Sequence, residues 1–430
     1  SYQTYNRMSE ISGRKIVDSE PSAQLKPGVL IAVDSAASHD SQAMVTRIPA
    51  TGDLSSIFSA SSSVIEFIVG NQSDIDVINQ LALCLNVQAS AGAGNTVLSG
   101  IFAFTDHIEL YLGGKMLDQI YPANLVSELL LLPDQQLQSI GPMVGLLTND
   151  PAAAGYMLPN VTLAPSGTYK FILPLWNTIF EASGFSPRYT REQMRVRWFF
   201  NNGQFAAVSN SAKAGTTLTA TLCELMISGK KYSPALRQIK DAQRAGQSIA
   251  CPCVVRRTFQ KNQGTLVASQ QQTETLSYLN GRFIYTDVWL SKPVSATCPE
   301  ALYQKDYTNS LSPSSWNLDT LSLDDSSGRP CEFVDNLSGD FVRLSLGSYQ
   351  QDNQAHTAMR HYPLSFTTNL TEEYWNIQTK EDRYADGLYT FKYTPDASVY
   401  TGGASYLNGV GLQSSTLVVG PGGEVDLLNM

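Results

Sequence analysis

Residues 169–200 read YKFILPLWNTIFEASGFSPRYTREQMRVRWFF. Tyr169–Leu175 (YKFILPL) is an apolar, strand-like run, and its Pro174, which cannot donate to a ladder, predicts an edge strand or a bulge. Thr190 with Glu192 and Gln193 predicts a short helical turn. Met194–Phe200 (MRVRWFF) then alternates: Met194, Val196 and Trp198 lie on one face, Arg195 and Arg197 on the other. That period of two marks a half-buried β-strand. Strand, irregular loop and strand in 32 residues is antiparallel β architecture.

The same reading extends outward. Upstream, Val64–Val69 (VIEFIV) and Val77–Val87 (VINQLALCLNV) are strands separated by a turn at Asn71–Asp74. Ile101–Phe104 and His107–Leu112 (HIELYL) follow, and Gly113-Gly114 is a hairpin signal. Pro122–Leu132 predicts a helix, with Pro122 in its first turn and Leu125, Val126, Leu129 and Leu130 at helical spacing. Pro133 ends it. Downstream, Thr216–Ile227 closes the first set of strands. Lys230–Gln247 (KKYSPALRQIKDAQRAGQ) reads as a basic linker with a helix over Pro234–Ala245. Strand signals resume at Cys253–Phe259, Arg282–Leu290, Asp340–Leu346, His361–Phe366, Gly387–Tyr393 and Ser415–Val419, with one short helix at Glu372–Gln378. Residues 1–60 have low apolar density and run into the Ser-rich stretch Ser55–Ser63, which predicts an arm. The expected organisation is therefore an arm (1–60), a first β-sandwich (61–228), a basic linker (229–249) and a second β-sandwich (250–430), all-β with short helices in loops.

Length supports two domains, since a 430-residue chain exceeds what one core fills. Hydrophobic residues make up 43% and charged residues only 16%, against a typical ~25% charged. A polar but uncharged composition suits many strands and turns, and surfaces covered by copies of the same chain. The formal net charge of -9 argues against an electrostatic nucleic-acid coat. No apolar run is long enough for a membrane-spanning helix, and Ser1–Glu10 lacks the apolar core of a signal peptide. Six cysteines are too sparse for a disulfide framework. Cys84 and Cys223 sit inside apolar runs and read as buried free thiols, pointing to synthesis in a reducing compartment.

Two halves of the chain repeat. Asp106–Gly113 (DHIELYLG) resembles Asp340–Gly347 (DFVRLSLG), and Ile172–Leu175 (ILPL) resembles His361–Leu364 (HYPL). In each half the Pro-Leu strand precedes an aromatic alternating strand, MRVRWFF in one and GLYTFKY in the other.

No complete chemical constellation is present. There is no phosphate loop and no nucleophile elbow, and Gly92-x-Gly94 lacks the third glycine of a dinucleotide site. Cys251-Pro-Cys253 has no second ligand pair for zinc. His39, His107, His356 and His361 have no evident nucleophile and acid partners. Glu372-Glu373 and Asp324-Asp325 read as solvated loop charges, and the sequons at Asn71, Asn160, Asn336 and Asn369 are near chance in so Asn/Ser/Thr-rich a chain. Charge is unevenly placed: Lys230–Lys261 carries eight Lys/Arg against Asp241, whereas Glu300–Met430 carries seventeen acids against seven bases.

YKFILPLWNTIFEASGFSPRYTREQMRVRWFF resembles the strand–loop–strand of double jelly-roll viral major capsid proteins, the lineage of tectivirus-like phages, adenovirus-like viruses, virophages and large eukaryotic DNA viruses. HIELYLGGKMLDQIY resembles the hairpin before that family's first-domain helix, and GLYTFKYTPDASVYTGGASYLNGV its second-domain strand and loop. The resemblance covers about residues 60–420 in layout and short patterns. It implies two tandem eight-stranded jelly rolls and a homotrimer forming a pseudo-hexagonal block of an icosahedral shell. It implies a location in the virion after synthesis inside the host cell, and no enzyme activity or cofactor. Expected partners are the chain itself, minor capsid or penton proteins, and an internal membrane or genome at the base. There the linker cations Lys230, Lys231, Arg237, Lys240 and Arg244 are expected to face the interior. The alternative from the residues is a vertex, spike or other β-sandwich protein that recognises carbohydrate or a cell surface; the third is a secreted β-sandwich hydrolase.

Overall fold

In the computed structural model, the residues described are 29–31, 41–55, 57–58, 63–69, 75–90, 96–98, 100–130, 134–145, 161–182, 184–200, 218–291, 318–330, 337–338, 362–365, 383–396 and 404–429. The strands of residues 41–232 form two four-stranded sheets. One has the order β2 (Ser41–Pro49), β11 (Leu218–Tyr232), β4 (Val77–Ala89) and β9 (Thr168–Leu175). The other has the order β3 (Ser63–Val69), β10 (Met194–Phe200), β6 (Thr105–Leu112) and β7 (Lys115–Ile120). A short pair, β5 (Thr96–Leu98) and β8 (Val161–Leu163), stands apart.

The later strands repeat this order. β12 (Ser248–Gly264), β20 (Ser405–Val419), β14 (Asn280–Ser291) and β17 (Tyr362–Ser365) match the first sheet. β13 (Gln272–Thr275), β19 (Thr390–Pro395), β15 (Leu318–Asp324) and β16 (Leu337–Ser338) match the second. Eight strands in two packed sheets, made twice with the same crossovers, is a double jelly roll. Three strands extend the larger sheet: β1 (Val29–Ile31) lies parallel to β12, β18 (Arg383–Asp386) pairs with β14, and β21 (Val425–Asn429) pairs with β20. Among the described residues the α-helices are α1 (Ile101–Phe104), α2 (Pro122–Leu130), α3 (Asp134–Val144) and α4 (Pro234–Arg244). α2 ends at Leu130 and α3 begins at Asp134, carrying Pro142 inside it, while Pro133 lies outside the described residues.

The alternation in MRVRWFF decides the first core. Met194, Val196, Trp198 and Phe200 are buried, while Arg195, Arg197 and Phe199 are half-buried on the opposite face. Trp198 has no exposed surface, and its Nε1 donates to Thr105 Oγ1 (3.0 Å), so its one polar atom is satisfied inside an apolar cluster. Phe200 packs on the Trp198 ring (4.4 Å), and Phe58, Phe104 and Phe171 continue the ring contacts from it, with centroids 5.0–6.1 Å apart.

Several expectations change. Ile101–Phe104, placed among the strands, is helix α1; the helical turn lies at Pro187–Tyr189, before Thr190; and Asp324 is buried and ion-paired with Lys392, not a solvated loop charge. Residues 1–60 are not an arm throughout: Ser41–Pro49 is the edge strand β2, in register with β11 from Tyr232↔Ser41 to Glu224↔Pro49, and Ile57 and Phe58 are buried. No β2 residue is buried, so the backbone ladder places this strand without leaving an apolar signature in its sequence. The repeat is also partly re-paired. Ile172–Leu175 and Tyr362–Leu364 do occupy equivalent strands, β9 and β17, as do MRVRWFF and the strand of GLYTFKY. The counterpart of β6, however, is Leu318–Asp324, whose Leu321 and Leu323 supply the alternation. Phe341–Leu346 lies outside the described residues, as does the helix expected at Glu372–Gln378.

Candidate assembly interface

The core of the first jelly roll continues into the second half. The cluster built on Phe67, Leu83 and Trp198 continues into Cys251, Cys253, Val254, Val255, Tyr285, Leu412 and Leu417 of the second half. The second sandwich keeps its own smaller cluster, including Leu279, Phe283, Leu290, Phe391 and Tyr393. Its larger sheet is therefore covered on both sides, and thirteen of the fifteen residues of β20 are buried. The covering comes from α2, β7 and the 3-10 turn Ile179–Glu181 of the first half.

An ionic cluster lies in this seam. Arg256 on β12 is wholly buried. Its Nε and Nη2 donate to Glu128 Oε1 and Oε2 on α2 (2.7 and 3.1 Å), its Nη1 donates to Asp118 Oδ2 on β7 (3.2 Å), and its Nη2 also donates to the Trp176 carbonyl. The Arg256 backbone N–H reaches Asp118 Oδ1 at 3.2 Å. Glu181 closes the group: its carboxylate accepts from the Leu81 and Thr178 backbone N–H groups at 3.1 and 3.3 Å. Burial pushes the Glu181 carboxyl up to about 8 and raises Asp118 as well, the attraction of Arg256 notwithstanding. The basic run between Lys230 and Lys261 gave no sign that one of its arginines would be buried. The available signal was position: Arg256 extends the apolar run CPCVV of a strand covered on both faces.

The linker cations are not gathered into one exposed patch. Lys230 and Lys231 end β11, opposite Ala43 and Gln42, and all five of Lys230, Lys231, Arg237, Lys240 and Arg244 are half-buried. Ser233 caps α4 by accepting from the Leu236 N–H (3.2 Å), and Pro234 occupies its first position. Arg237, Lys240 and Arg244 recur on the helix face turned toward the body, whereas Ala235, Gln238, Ile239 and Ala242 are exposed. Arg237 donates to Asp76, itself 2% exposed, through Nε (2.9 Å) and Nη2 (2.6 Å). Arg188 bridges Asp76 and Asp241 (3.8 and 3.3 Å), and the Arg244 guanidinium lies 4.0 Å over the Tyr189 ring. Much of the linker's charge is thus spent fastening α4 to the first jelly roll.

No group of three or more metal-ligating side chains occurs among the described residues. Cys84, Cys223, Cys251 and Cys253 are buried free thiols. Burial raises all four, Cys251 to about 12. His107 stacks on Phe199 (4.2 Å) and contacts Asp106 (2.9 Å) and Glu109 (3.5 Å). Burial pulls its imidazole down, but the two carboxylates outweigh that and leave it above the ordinary value.

No family model and no curated protein matches the chain. Solved structures do. The VP54 protein of PBCV-1, fitted into a reconstruction of the virophage Sputnik, is 13% identical, with a TM-score of 0.64 over 90% of this chain and 97% of that one. The Sputnik virophage structure is 12% identical (TM-score 0.56; 97% and 94% covered). The Faustovirus major capsid protein is 11% identical (0.55; 95% and 92%). At such identities the likeness is one of fold, and the chain has the double jelly-roll fold of these viral capsid proteins.

Proposed function

We propose that the chain is a viral major capsid protein, located in the virion, whose homotrimers are pseudo-hexagonal blocks of an icosahedral shell. The observation that carries this reading is the repeated jelly roll joined through a shared seam. In the second half, the outer face of β12, β20 and β14 is covered by the first half. The equivalent outer face in the first half, on β2, β11, β4 and β9, presents Val45, Met226, Ala82, Ile172 and Leu222, all half-buried or exposed. Val45 is 65% exposed. If another copy's second half covers that face, the contact is head-to-tail, and three chains close a ring of six similar sandwiches. The role is structural; it requires no catalysis and no cofactor.

Contacts with minor capsid or penton proteins belong to the same reading, as does a basal contact between the linker and a membrane or genome. Lys230, Lys231, Arg237, Lys240 and Arg244 are the linker cations that such a contact would use. Native mass spectrometry and negative-stain microscopy of the purified chain test the proposal. A trimer with hexagonal outline is expected, and Val45→Glu with Met226→Glu should leave a folded monomer. A monomer at every concentration, or trimers unaffected by that double change, refutes the arrangement. Lys230→Gln, Lys231→Gln and Lys240→Gln together should weaken binding to anionic vesicles or genome packaging; unchanged behaviour removes the basal role.

A further inference from the structure

We propose that the seam between the two jelly rolls is a proton-sensitive joint, tighter in acid than in mild alkali. Asp118 from β7 and Glu128 from α2 converge on the guanidinium of Arg256 from β12, and Glu181 from the 3-10 turn lies within electrostatic reach of the pair. Cys253 on β12 and Tyr285 on β14 also face the cluster, and Asp287 lies beside Tyr285. Burial raises Cys253 and Tyr285, which therefore hold their protons and supply no positive charge. One arginine cannot neutralise three ionised carboxylates in a space closed to water, so burial favours a proton on a surplus acid.

Geometry assigns the roles. Glu128 takes the two-pronged pairing with Arg256. Glu181 instead accepts two backbone N–H groups, and through Leu81 it ties β4 to the turn that covers β12. Its carboxyl, pushed up to about 8, stays protonated at neutral pH. A carboxyl raised on folding contributes most below its ordinary value of 4.5; its contribution declines as pH climbs to about 8, then levels off. A further negative charge in the seam at mildly alkaline pH loosens the contact between α2 and the β12–β20 face. The halves of each block are thereby held firmly in acid and released toward alkali, independently of whether the blocks are trimers.

The test uses the purified full-length chain. Urea unfolding is followed from pH 5 to pH 9, with hydrogen exchange of the α2 and Ile249–Arg257 amides corrected for intrinsic rates. Across the window, each pH unit should raise the unfolding constant about tenfold from Glu181 alone. In Glu181→Gln the rise between pH 5 and pH 8 should be smaller by roughly several hundredfold. The α2 amides should open faster at pH 8.5 than at pH 6 in the parent and equally at both in the variant. A variant with the parent's full slope, or parent amides equally protected at both values, overturns the proposal. Infrared spectroscopy of the unaltered chain decides the matter even if the variant does not fold. A protonated-carboxyl band that persists at pH 7 and bleaches near pH 8 supports the joint; its absence above pH 6 refutes it.

Discussion

Replacing Arg256 by methionine tests whether the seam holds the two jelly rolls together. Methionine keeps most of the volume and removes the charge. The Arg256 side chain is 0% exposed, and those of Asp118 and Glu128 are each 1% exposed, so water cannot take the place of the lost guanidinium. Breaking a buried pair by removing one partner costs about 3–5 kcal/mol, because the remaining charge stays buried. That is a large part of the roughly 5–15 kcal/mol that holds a typical folded protein. Urea unfolding at pH 7, read by tryptophan fluorescence, measures it. The midpoint should fall sharply, and Arg256→Met with Glu128→Gln should recover part of the loss, since no uncompensated charge then remains on α2. A loss below about 1 kcal/mol would place the pair among ordinary surface bridges. A double variant weaker than the single one would show that packing, not charge, sets the cost.

Three further outcomes are expected. A Cβ added at Gly229 would lie 2.2 Å from the Val77 carbonyl oxygen and 2.6 Å from Ile75 Cγ2, so Gly229→Ala should cost about 1–3 kcal/mol in calorimetry; an unchanged melting temperature contradicts this. Arg237→Gln should destabilise the chain measurably, because it weakens the charge pairing of buried Asp76, while Lys240→Gln should not; equal effects would mean α4 is not fastened through Asp76. His107→Gln should lower stability on the acid side only. An imidazole raised on folding contributes below its ordinary value of 6.5 and loses that contribution as pH rises through the raised value, so parent and variant melting curves should converge in alkali.

The strands that alternate were legible. Val64–Val69, Val77–Val87 and Met194–Phe200 all sit where their period of two places them, because each has one wet and one buried face. The helix beginning at Pro122 and the helix in the basic linker were legible from proline and capping residues. β2 was not, since an edge strand held by its ladder needs no apolar face. The repeat was half legible: Pro174 and Pro363 mark equivalent strands, but the likeness of DHIELYLG to DFVRLSLG pointed away from Leu318–Asp324. The seam was hidden altogether. Arg256 lies 128 residues from Glu128 and 138 from Asp118, and no local pattern records a pairing across such distances. In sequence Arg256 is one more cation of a basic run; only packing separates it from Arg257, which is half-buried and donates to Gln413 Oε1 at 2.7 Å.

The shared core changes what the linker is for. α4 buries no residue, and Gly246 beyond it is exposed, with open space where a side chain would point. Adhesion between the halves resides in the sheet-to-helix contact, not in the peptide that connects them. A chain severed at Gly246 should remain a single particle, as two fragments already seated on one another. The covalent connection instead fixes a ratio, one sandwich of each kind at every position, and sets when they meet. It delivers the second half to its seat at the high effective concentration of a short tether, before that doubly buried sheet can find another surface.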